Sequence, residues 1–274
     1  MTTAIIHTET EITDEVEIRP DDAIVEDIWS RLWQEDGIRN LDLNSLLIEV
    51  ENGTVHLRGH VGKDLHRIRI TEIASSVPGV QKIKNDLSAD FKLQVKVAQA
   101  LYRDQRTRSL FLNVNCMHGW ITVLGQVPNQ TLREVVEEVI SKVPQVRGIL
   151  HPPMVEGQAY PLYRRVVQPD IAARVYADEG LTGKVTKVVI NPRNRLVTHF
   201  VVKASGEAAG LGLSAEFVLP IETIDVVNDE NVILSDRVER IETYPQLDEQ
   251  AYPPAPQDWQ APFPYRHGEV RWQS

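Results

Sequence analysis

The chain has a single cysteine and no long apolar run, and both absences limit what it can be. With Cys116 as the only cysteine among 274 residues, no intramolecular disulfide can form, which fits a reducing compartment. No stretch approaches the roughly 20 apolar residues of a membrane-spanning helix. The N-terminus lacks the basic start and the apolar run of about 7–15 residues that a secretory signal needs. We therefore expect a cytoplasmic protein whose contact with membranes, where it occurs, is peripheral.

Basic residues are outnumbered by acidic ones, 29 against 39, which gives a formal net charge of -10. Much of the excess lies in the first 22 residues, where Arg19 is the only basic residue among several acidic ones. This charge disfavours global attraction to nucleic acid, so no DNA partner is expected, although a local basic patch is compatible with it. We expect residues 1–20 to form a disordered acidic tail.

Sequence signatures of catalysis and of bound cofactors are also missing. The chain has no HExxH, paired CxxC, GxSxG or phosphate-binding loop. His56 and His60 lie four residues apart on one predicted strand, roughly 13 Å from each other, too far to share a metal ion. Cys116 falls in an alternating apolar run, so we expect a small buried hydrophobic residue. We predict a protein that is not an enzyme and has no metal or cofactor.

An internal repeat organises the first half of the chain. Residues 55–61, VHLRGHV, match residues 121–127, ITVLGQV, at an offset of 66. Upstream, helix-spaced apolar residues correspond at an offset of 69: Ile24, Ile28 and Leu32 with Leu93, Val97 and Leu101. The first copy therefore has three extra residues in the loop after its first helix.

Each copy has the pattern of a small α/β unit. A helix-spaced run is followed by two alternating runs, joined in the first copy by Asn52-Gly53, which favours a hairpin with a type I′ turn. A second helix ends at Pro78-Gly79, and a third strand follows it. The predicted order is αββαβ, with two helices on one face of a three-stranded sheet.

This unit resembles the BON domain, and the resemblance covers residues 21–88 and 89–157. The segments that carry it are the strands at 55–61 and 121–127, VPGV at 77–80 and VPQV at 143–146. The second copy departs from the family at Gln145, where glycine is usual, which predicts that a sharp turn is missing there. The resemblance implies a non-catalytic module that binds a ligand or a surface, is thought to bind phospholipid and is often linked to envelope stress.

Residues 170–247 are predicted to form a second module, because short β-prone runs alternate with turn residues. This region resembles the PRC-barrel domain in the following segments: Gly183, Val185, VVINP at 188–192, VTHFVV at 197–202, VLPI at 218–221 and NVILS at 231–235. The resemblance implies a small β-barrel that docks a protein. The expected fold class is α+β, with two αββαβ BON-like repeats and a C-terminal PRC-barrel-like domain.

The C-terminal segment, residues 248–274, interleaves prolines with aromatic side chains. Proline removes backbone donors, so we expect an extended segment without regular helix or sheet. Two alternatives are open: a disordered tail, or an arm that docks on this chain or on a partner.

Two groups of residues are candidate binding sites. The basic group suits lipid phosphates or another polyanion, although a solvated charged face explains it as well. It consists of Lys63, Arg67, Arg103, Arg106 and Arg108. The apolar group lies on the outward face of the second sheet, where the first sheet is polar, and needs a cover from another subunit or from the rest of the chain. It consists of Phe111, Met117, Trp120 and Leu124.

These features favour a non-catalytic adaptor. The BON-like pair is expected to bind an anionic phospholipid surface or a small ligand, and the barrel a protein partner, with a role in stress response implied by the resemblance. A homo-oligomer through the apolar face is compatible with this hypothesis. The alternative is a soluble assembly or ribonucleoprotein-associated factor that acts through the barrel.

Overall fold

The computed structural model describes residues 19–159, 166–177, 180–204, 215–228, 230–235 and 241–273. The predicted acidic tail at 1–20 falls almost wholly outside the described residues. The described chain folds as two α/β units followed by a seven-stranded sheet, so the predicted α+β class is confirmed. Within these residues, no helix is long and apolar enough to cross a membrane.

The first repeat has the predicted order with one added helix. Its elements are α1 (Asp21–Trp33), α2 (Asp36–Leu41), β1 (Leu46–Glu51), β2 (Thr54–Val61), α3 (Asp64–Ser75) and β3 (Lys82–Ala89). β2 pairs antiparallel with β1 and parallel with β3. Ile24, Ile28 and Leu32 are fully buried, which confirms the predicted apolar face of α1. The short helix α2 lies in the loop where the first copy has its extra residues.

The second repeat follows without a linker. Its elements are α4 (Asp90–Arg103), β4 (Asn113–Met117), β5 (Trp120–Leu124), β6 (Gln126–Val127), α5 (Gln130–Ser141), β7 (Gly148–His151) and β8 (Met154–Val155). The sheet order β4-β5-β7 repeats the order β1-β2-β3 of the first copy. Cys116 lies in its core, and burial and the neighbouring Asp90 carboxylate raise the pKa of the thiol far above its ordinary value.

The turns of the two repeats match in backbone conformation. Asn52 and Gly53 both have positive φ, as predicted for a type I′ turn, and His118 and Gly119 repeat this geometry. The prediction of a missing sharp turn at Gln145 is wrong. Gln145 adopts φ 69°, in the left-handed region that Gly79 occupies in the first copy, and its backbone N–H donates to Gln260.

The C-terminal module is a β-sheet that contains the strands predicted from the sequence. Its strands are β9 (Arg174–Ala177), β10 (Gly180–Ile190), β11 (Val197–Ala204), β12 (Glu216–Pro220), β13 (Ile224–Val227), β14 (Asn231–Leu234) and β15 (Val270–Trp272). The strand order is β12-β11-β10-β9-β14-β13, and β15 pairs with β10. No pairing joins β12 to β13 within the described residues, so these strands form an open sheet there.

The C-terminal arm, which we define as residues 253–273, is docked on this chain. Tyr265 is 1% exposed in the core of the C-terminal sheet, and its hydroxyl donates to the carbonyl oxygen of Pro169 at 3.0 Å. β15 lies within the arm and pairs parallel with β10. The expectation of a segment without regular structure is therefore wrong, as is the alternative of a disordered tail. Packing of the aromatic side chains offsets the entropy of ordering the segment.

Candidate binding surfaces

Two equivalent carboxylates hold the hairpin turns of the repeats against their first helices. Asp21, the first residue of α1, accepts backbone N–H donors from Asn52 and Gly53 at 2.8 and 2.9 Å. Asp90, the first residue of α4, accepts from His118 and Gly119 at 2.7 and 3.0 Å. Asp21 and Asp90 are 69 residues apart, the upstream offset of the repeat, so this offset is the signal that could have revealed them.

A groove lies between α4 and α5 of the second repeat. It has a volume of about 390 Å³. Its apolar lining comes from Ala100, Val139, Val143 and Pro144, and its cationic lining from Lys96, Arg103, Arg106 and Lys142. Gln99 and Asp104 complete the lining. The groove therefore combines an apolar floor with a basic rim, an arrangement that suits an amphiphile with an anionic head.

The basic residues of the groove differ in how they are held. Arg106 donates to Asp104 at 2.7 Å and to Glu138 at 3.2 Å, and Lys142 also contacts Glu138. Hydrogen bonds from Arg106 lower the pKa of Asp104 to about 2, so this carboxylate stays charged. The exposed side chain of Arg103 makes no hydrogen bond or ion pair to any described residue. It is the cation of the groove most available to an anion.

The structure does not unite the five basic residues proposed from the sequence. Arg103 and Arg106 line the groove, and Arg108 is exposed in the loop that follows. Lys63 and Arg67, at the start of α3, lie near the opposite end of α4. Arg67 and Lys92 of α4 both pair with Asp64, at 2.7 and 2.9 Å. Eleven residues of helix, about 16 Å, separate Lys92 from Arg103.

The four residues of the apolar candidate face are also in different environments. Trp120 is half-buried, with the Arg147 guanidinium 5.0 Å from its ring centroid and Gly148 packed against the ring. A Cβ added at Gly148 would also meet Leu196 of the C-terminal module, so Trp120 belongs to the junction inside this chain. The other three residues stay exposed: Phe111, Met117 and Leu124, with Phe111 97% accessible.

Arg195 fixes the C-terminal sheet against the second repeat. This residue is only 2% exposed in the β10–β11 turn, and its guanidinium donates to the carbonyl oxygens of Ser141 and Gln260 at 2.7 and 2.5 Å. It also stacks 4.7 Å from the ring centroid of Trp259 in the arm. Burial lowers its pKa to about 10, so it remains charged near neutral pH. Ser141 ends α5, where the helix dipole favours a cation.

A cluster of histidines joins the two repeats. Asp42 of the first repeat is fully buried and lies 3.4 Å from Nε2 of His118 in the second repeat and 2.5 Å from Nδ1 of His66. His60 lies beside this pair, 2% exposed, with its ring against Gly119 and edge-on to Phe263 of the arm. His60 thus lies on the face away from the helices, as alternation along β2 predicts, but the second repeat and the arm cover it there.

The arm covers the polar face of the first sheet, not the apolar face of the second. Arg58 donates to the carbonyl oxygen of Tyr265 at 3.2 Å, and Arg266 pairs with Glu49. Periodicity alone indicated which face was apolar, but the ion pairs and aromatic contacts that decided the docking depend on tertiary structure. No cluster of three or more His, Cys, Asp or Glu side chains suited to a metal ion occurs in the described residues.

The C-terminal sheet exposes an apolar row in cross-strand register. Leu181 of β10 is opposite Tyr176 of β9, Tyr176 is opposite Ile233 of β14, and Ile233 is opposite Val226 of β13. The three aliphatic side chains are exposed and Tyr176 is half-exposed. Such a row on one sheet face is typical of a surface that contacts another protein.

Two solved structures are among those similar to part of this chain. Two solved structures of CdsD, a structural protein of the type III secretion system of Chlamydia trachomatis, are similar at a TM-score of 0.38 each. The first is 11% identical to this chain, and the match covers 50% of this chain and 62% of the CdsD chain. The second, the C-terminal domain of CdsD, is 13% identical, and the match covers 52% of this chain and 68% of the CdsD chain. The chain thus spans less than two thirds of the first structure.

No curated protein matches the chain. A family model does match it, and the match stops at residue 152, so the resemblance of residues 170–247 to the PRC-barrel stays a prediction. The model is that of the BON domain, and it matches residues 20–91 and again residues 89–152. The repeated αββαβ order and the equivalent turns agree with these matches, so residues 20–152 hold two tandem units that are each similar to the BON domain.

Proposed function

We propose that the chain is a non-catalytic adaptor whose second BON-like repeat binds an anionic phospholipid surface and whose C-terminal sheet docks a protein. The observation that carries the proposal is the groove between α4 and α5, with an apolar floor and a rim of four basic side chains. The C-terminal sheet, with its resemblance to the PRC-barrel, contributes the second contact through the row of Leu181, Ile233 and Val226.

The chemistry of the groove suits a phosphate head group. A guanidinium presents paired N–H donors that match the oxygens of a phosphate, and Arg103 has no ion pair to break, because the neighbouring Asp104 carboxylate is paired with Arg106. Each basic side chain near an anionic leaflet contributes about 1 kcal/mol, and the attraction declines as salt increases. The contact is peripheral, and the net charge of -10 makes it a local interaction rather than a property of the whole chain.

Co-sedimentation of the full chain with vesicles tests the proposal. Vesicles of phosphatidylcholine alone are compared with vesicles that also contain phosphatidylglycerol, at low and at physiological salt. The proposal expects pelleting with the anionic vesicles only, and less of it at higher salt. Absence of pelleting with anionic vesicles at low salt would contradict it.

A second candidate is the soluble assembly factor. The exposed row on the C-terminal sheet favours it, since this surface requires no membrane. In that case the vesicle experiment is negative. The variant Leu181→Glu/Ile233→Glu then loses association with the partner in the cell extract, while the groove variant Lys96→Glu/Arg103→Glu retains it. The stress-response role implied by the family resemblance is compatible with either candidate.

A further inference from the structure

The outer edge of the second sheet is unprotected. β4 is the outer strand of the order β4-β5-β7, and no described strand pairs with its free side. Charged residues and prolines normally protect an edge strand from pairing with another strand. The segment Asn113–Met117 contains neither. The equivalent strand β1 contains Glu49 and Glu51, and Arg266 of the arm binds Glu49. One repeat thus has a charged, partly covered edge, and the other a neutral open one.

An apolar stripe on α4 lies along the same edge. Phe91, Val95, Ala98 and Tyr102 are spaced by four, three and four residues, so their side chains line one face of the helix. All four are exposed, Phe91 by 70% and Tyr102 by 75%. They project away from the groove, because Lys96, Gln99 and Arg103 take the side of α4 that faces α5. Since α4 packs on β4, the stripe and the open strand edge form one surface.

This surface complements itself about a two-fold axis. Asp90 at the start of α4 binds His118, which follows the end of β4, so the helix and the strand run in opposite directions. Two β4 strands that pair antiparallel with Asn115 at the axis bring Asn113 opposite Met117 of the other copy. The same rotation brings Phe91 of one α4 towards Tyr102 of the other, with Val95 and Ala98 at the centre.

We propose that the occupant of this surface is a second copy of the chain, so that two second BON-like repeats form a continuous six-stranded sheet with paired α4 helices. Antiparallel strand addition satisfies the free backbone groups of both edges, as in isologous two-fold interfaces. Phe91, Tyr102 and Phe111 are exposed aromatic residues that bury roughly 150 Å² or more each when fully covered. With Val95, Met117 and the strand backbone, these side chains supply a large part of the roughly 800 Å² per partner of a standard interface.

Sedimentation equilibrium of the full chain over a wide concentration range tests the proposal. The wild type is expected to approach twice the mass of one chain. Asn115→Lys places two like charges opposite each other at the axis, so it is expected to have the mass of one chain, as is Asn115→Asp. An equal mixture of the two variants is expected to recover the dimer, which only a contact that brings the two copies of residue 115 together predicts.

The stripe is tested by Val95→Glu/Tyr102→Glu, with Leu65→Glu/Ile68→Glu on α3 as the matched control, because all four positions are exposed apolar helix residues. The stripe variant is expected to be monomeric and the control dimeric, each with a circular dichroism spectrum like that of the wild type. A wild type with the mass of one chain at every concentration would overturn the proposal, as would a dimer that persists in both Asn115 variants. A monomeric wild type whose vesicle binding is lost in the stripe variant would show that this face meets a membrane instead.

Discussion

At the scale of single residues, Arg195 joins the second repeat, the C-terminal sheet and the arm. Its guanidinium satisfies the carbonyl oxygen at the end of α5 and that of Gln260 in the arm, so removing it leaves both acceptors without this donor. We predict that Arg195→Ala lowers the free energy of unfolding by about 2–4 kcal/mol, because hydrogen bonds from buried charged groups are among the stronger ones.

Its neighbour supplies a control for that prediction. Arg193 lies in the same turn and pairs with Glu134 of α5 at 3.4 Å, but its side chain is exposed. Arg193→Ala is therefore expected to change the free energy of unfolding by less than about 1 kcal/mol. Urea denaturation followed by tryptophan fluorescence measures both variants, and equal effects of the two substitutions would contradict the role assigned to Arg195.

The contributions of His60 and His118 to the stability of the fold change with pH in opposite directions. Burial lowers the pKa of His60 to about 3, assisted by the charges of Arg147 and His118, whereas the hydrogen bond to Asp42 raises the pKa of His118. The unfolded chain takes up a proton at His60 near pH 6.5, so its contribution to stability is present above that pH and is lost as the pH falls towards 3. The contribution of His118 is present below pH 6.5 and is lost as the pH rises through its raised pKa.

Two variants separate these contributions. We predict that His60→Phe weakens the loss of stability on acidification below pH 6.5, by up to about 1.4 kcal/mol per pH unit. His118→Gln is expected to remove the gain in stability on acidification from the raised pKa of His118 down to pH 6.5, and to leave the slope below pH 6.5 nearly unchanged. Denaturation curves measured at pH values between about 5 and 7.5 give the slopes, and identical slopes in the two variants would contradict both assignments.

The histidine cluster also shows which residues sequence reasoning could reach. Alternation along β2 correctly placed His56 and His60 on the face away from the helices, but not the partners that cover His60. Gly119 and Phe263 reach it from 59 and 203 residues away along the chain, and no local pattern records such a distance. Arg195 was missed for the same reason, because its acceptors lie on α5 and in the arm.

At the scale of elements, the groove between α4 and α5 gives the sharpest prediction. Lys96→Glu/Arg103→Glu reverses two charges on the rim without touching the buried face of α4, formed by Leu93, Val97 and Leu101. We expect at least a tenfold loss of affinity for anionic vesicles, since each basic residue near the surface contributes about 1 kcal/mol. Flotation of the vesicles with the bound protein measures the loss.

The control for the groove is a pair of lysines in the first repeat. Lys82 and Lys84 are exposed on β3, and Lys82→Glu/Lys84→Glu makes the same change in net charge. This control is expected to bind like the wild type apart from a small long-range effect. A loss equal to that of the groove variant would show that net charge, and not the groove, determines binding.

Helices and strands could be predicted from the sequence wherever the apolar periodicity was strong. The prediction failed where an element forms only through tertiary packing. The apolar faces of α1 and α4, the hairpins and most strands of the C-terminal sheet agree with the predicted pattern. The strand β15 could not be predicted, because it forms by pairing with β10 in a segment whose prolines argue against a strand. The basic candidates were predicted by residue type, but only the structure separates Lys63 and Arg67 from the groove.

At the scale of the whole molecule, the BON-like pair, the C-terminal sheet and the arm are held together by specific contacts. The arm contacts Arg58 and His60 of the first repeat, Gln145 of the second and the core of the sheet. The exposed surfaces, namely the groove, the β4 edge and the row on the C-terminal sheet, are thereby presented in fixed positions. This arrangement suits an adaptor, since it lets each surface bind a different partner.

Hydrogen exchange of the full chain, with and without anionic vesicles, shows directly where the vesicles bind. We expect vesicles to slow exchange in the segments that form the groove, residues 96–106 and 139–145, and to leave the peptides around Lys63 and Arg67 unchanged. Slower exchange confined to the first repeat or to the C-terminal sheet, or no change with vesicles that pellet the protein, would contradict the claim that this groove is the anion-binding surface.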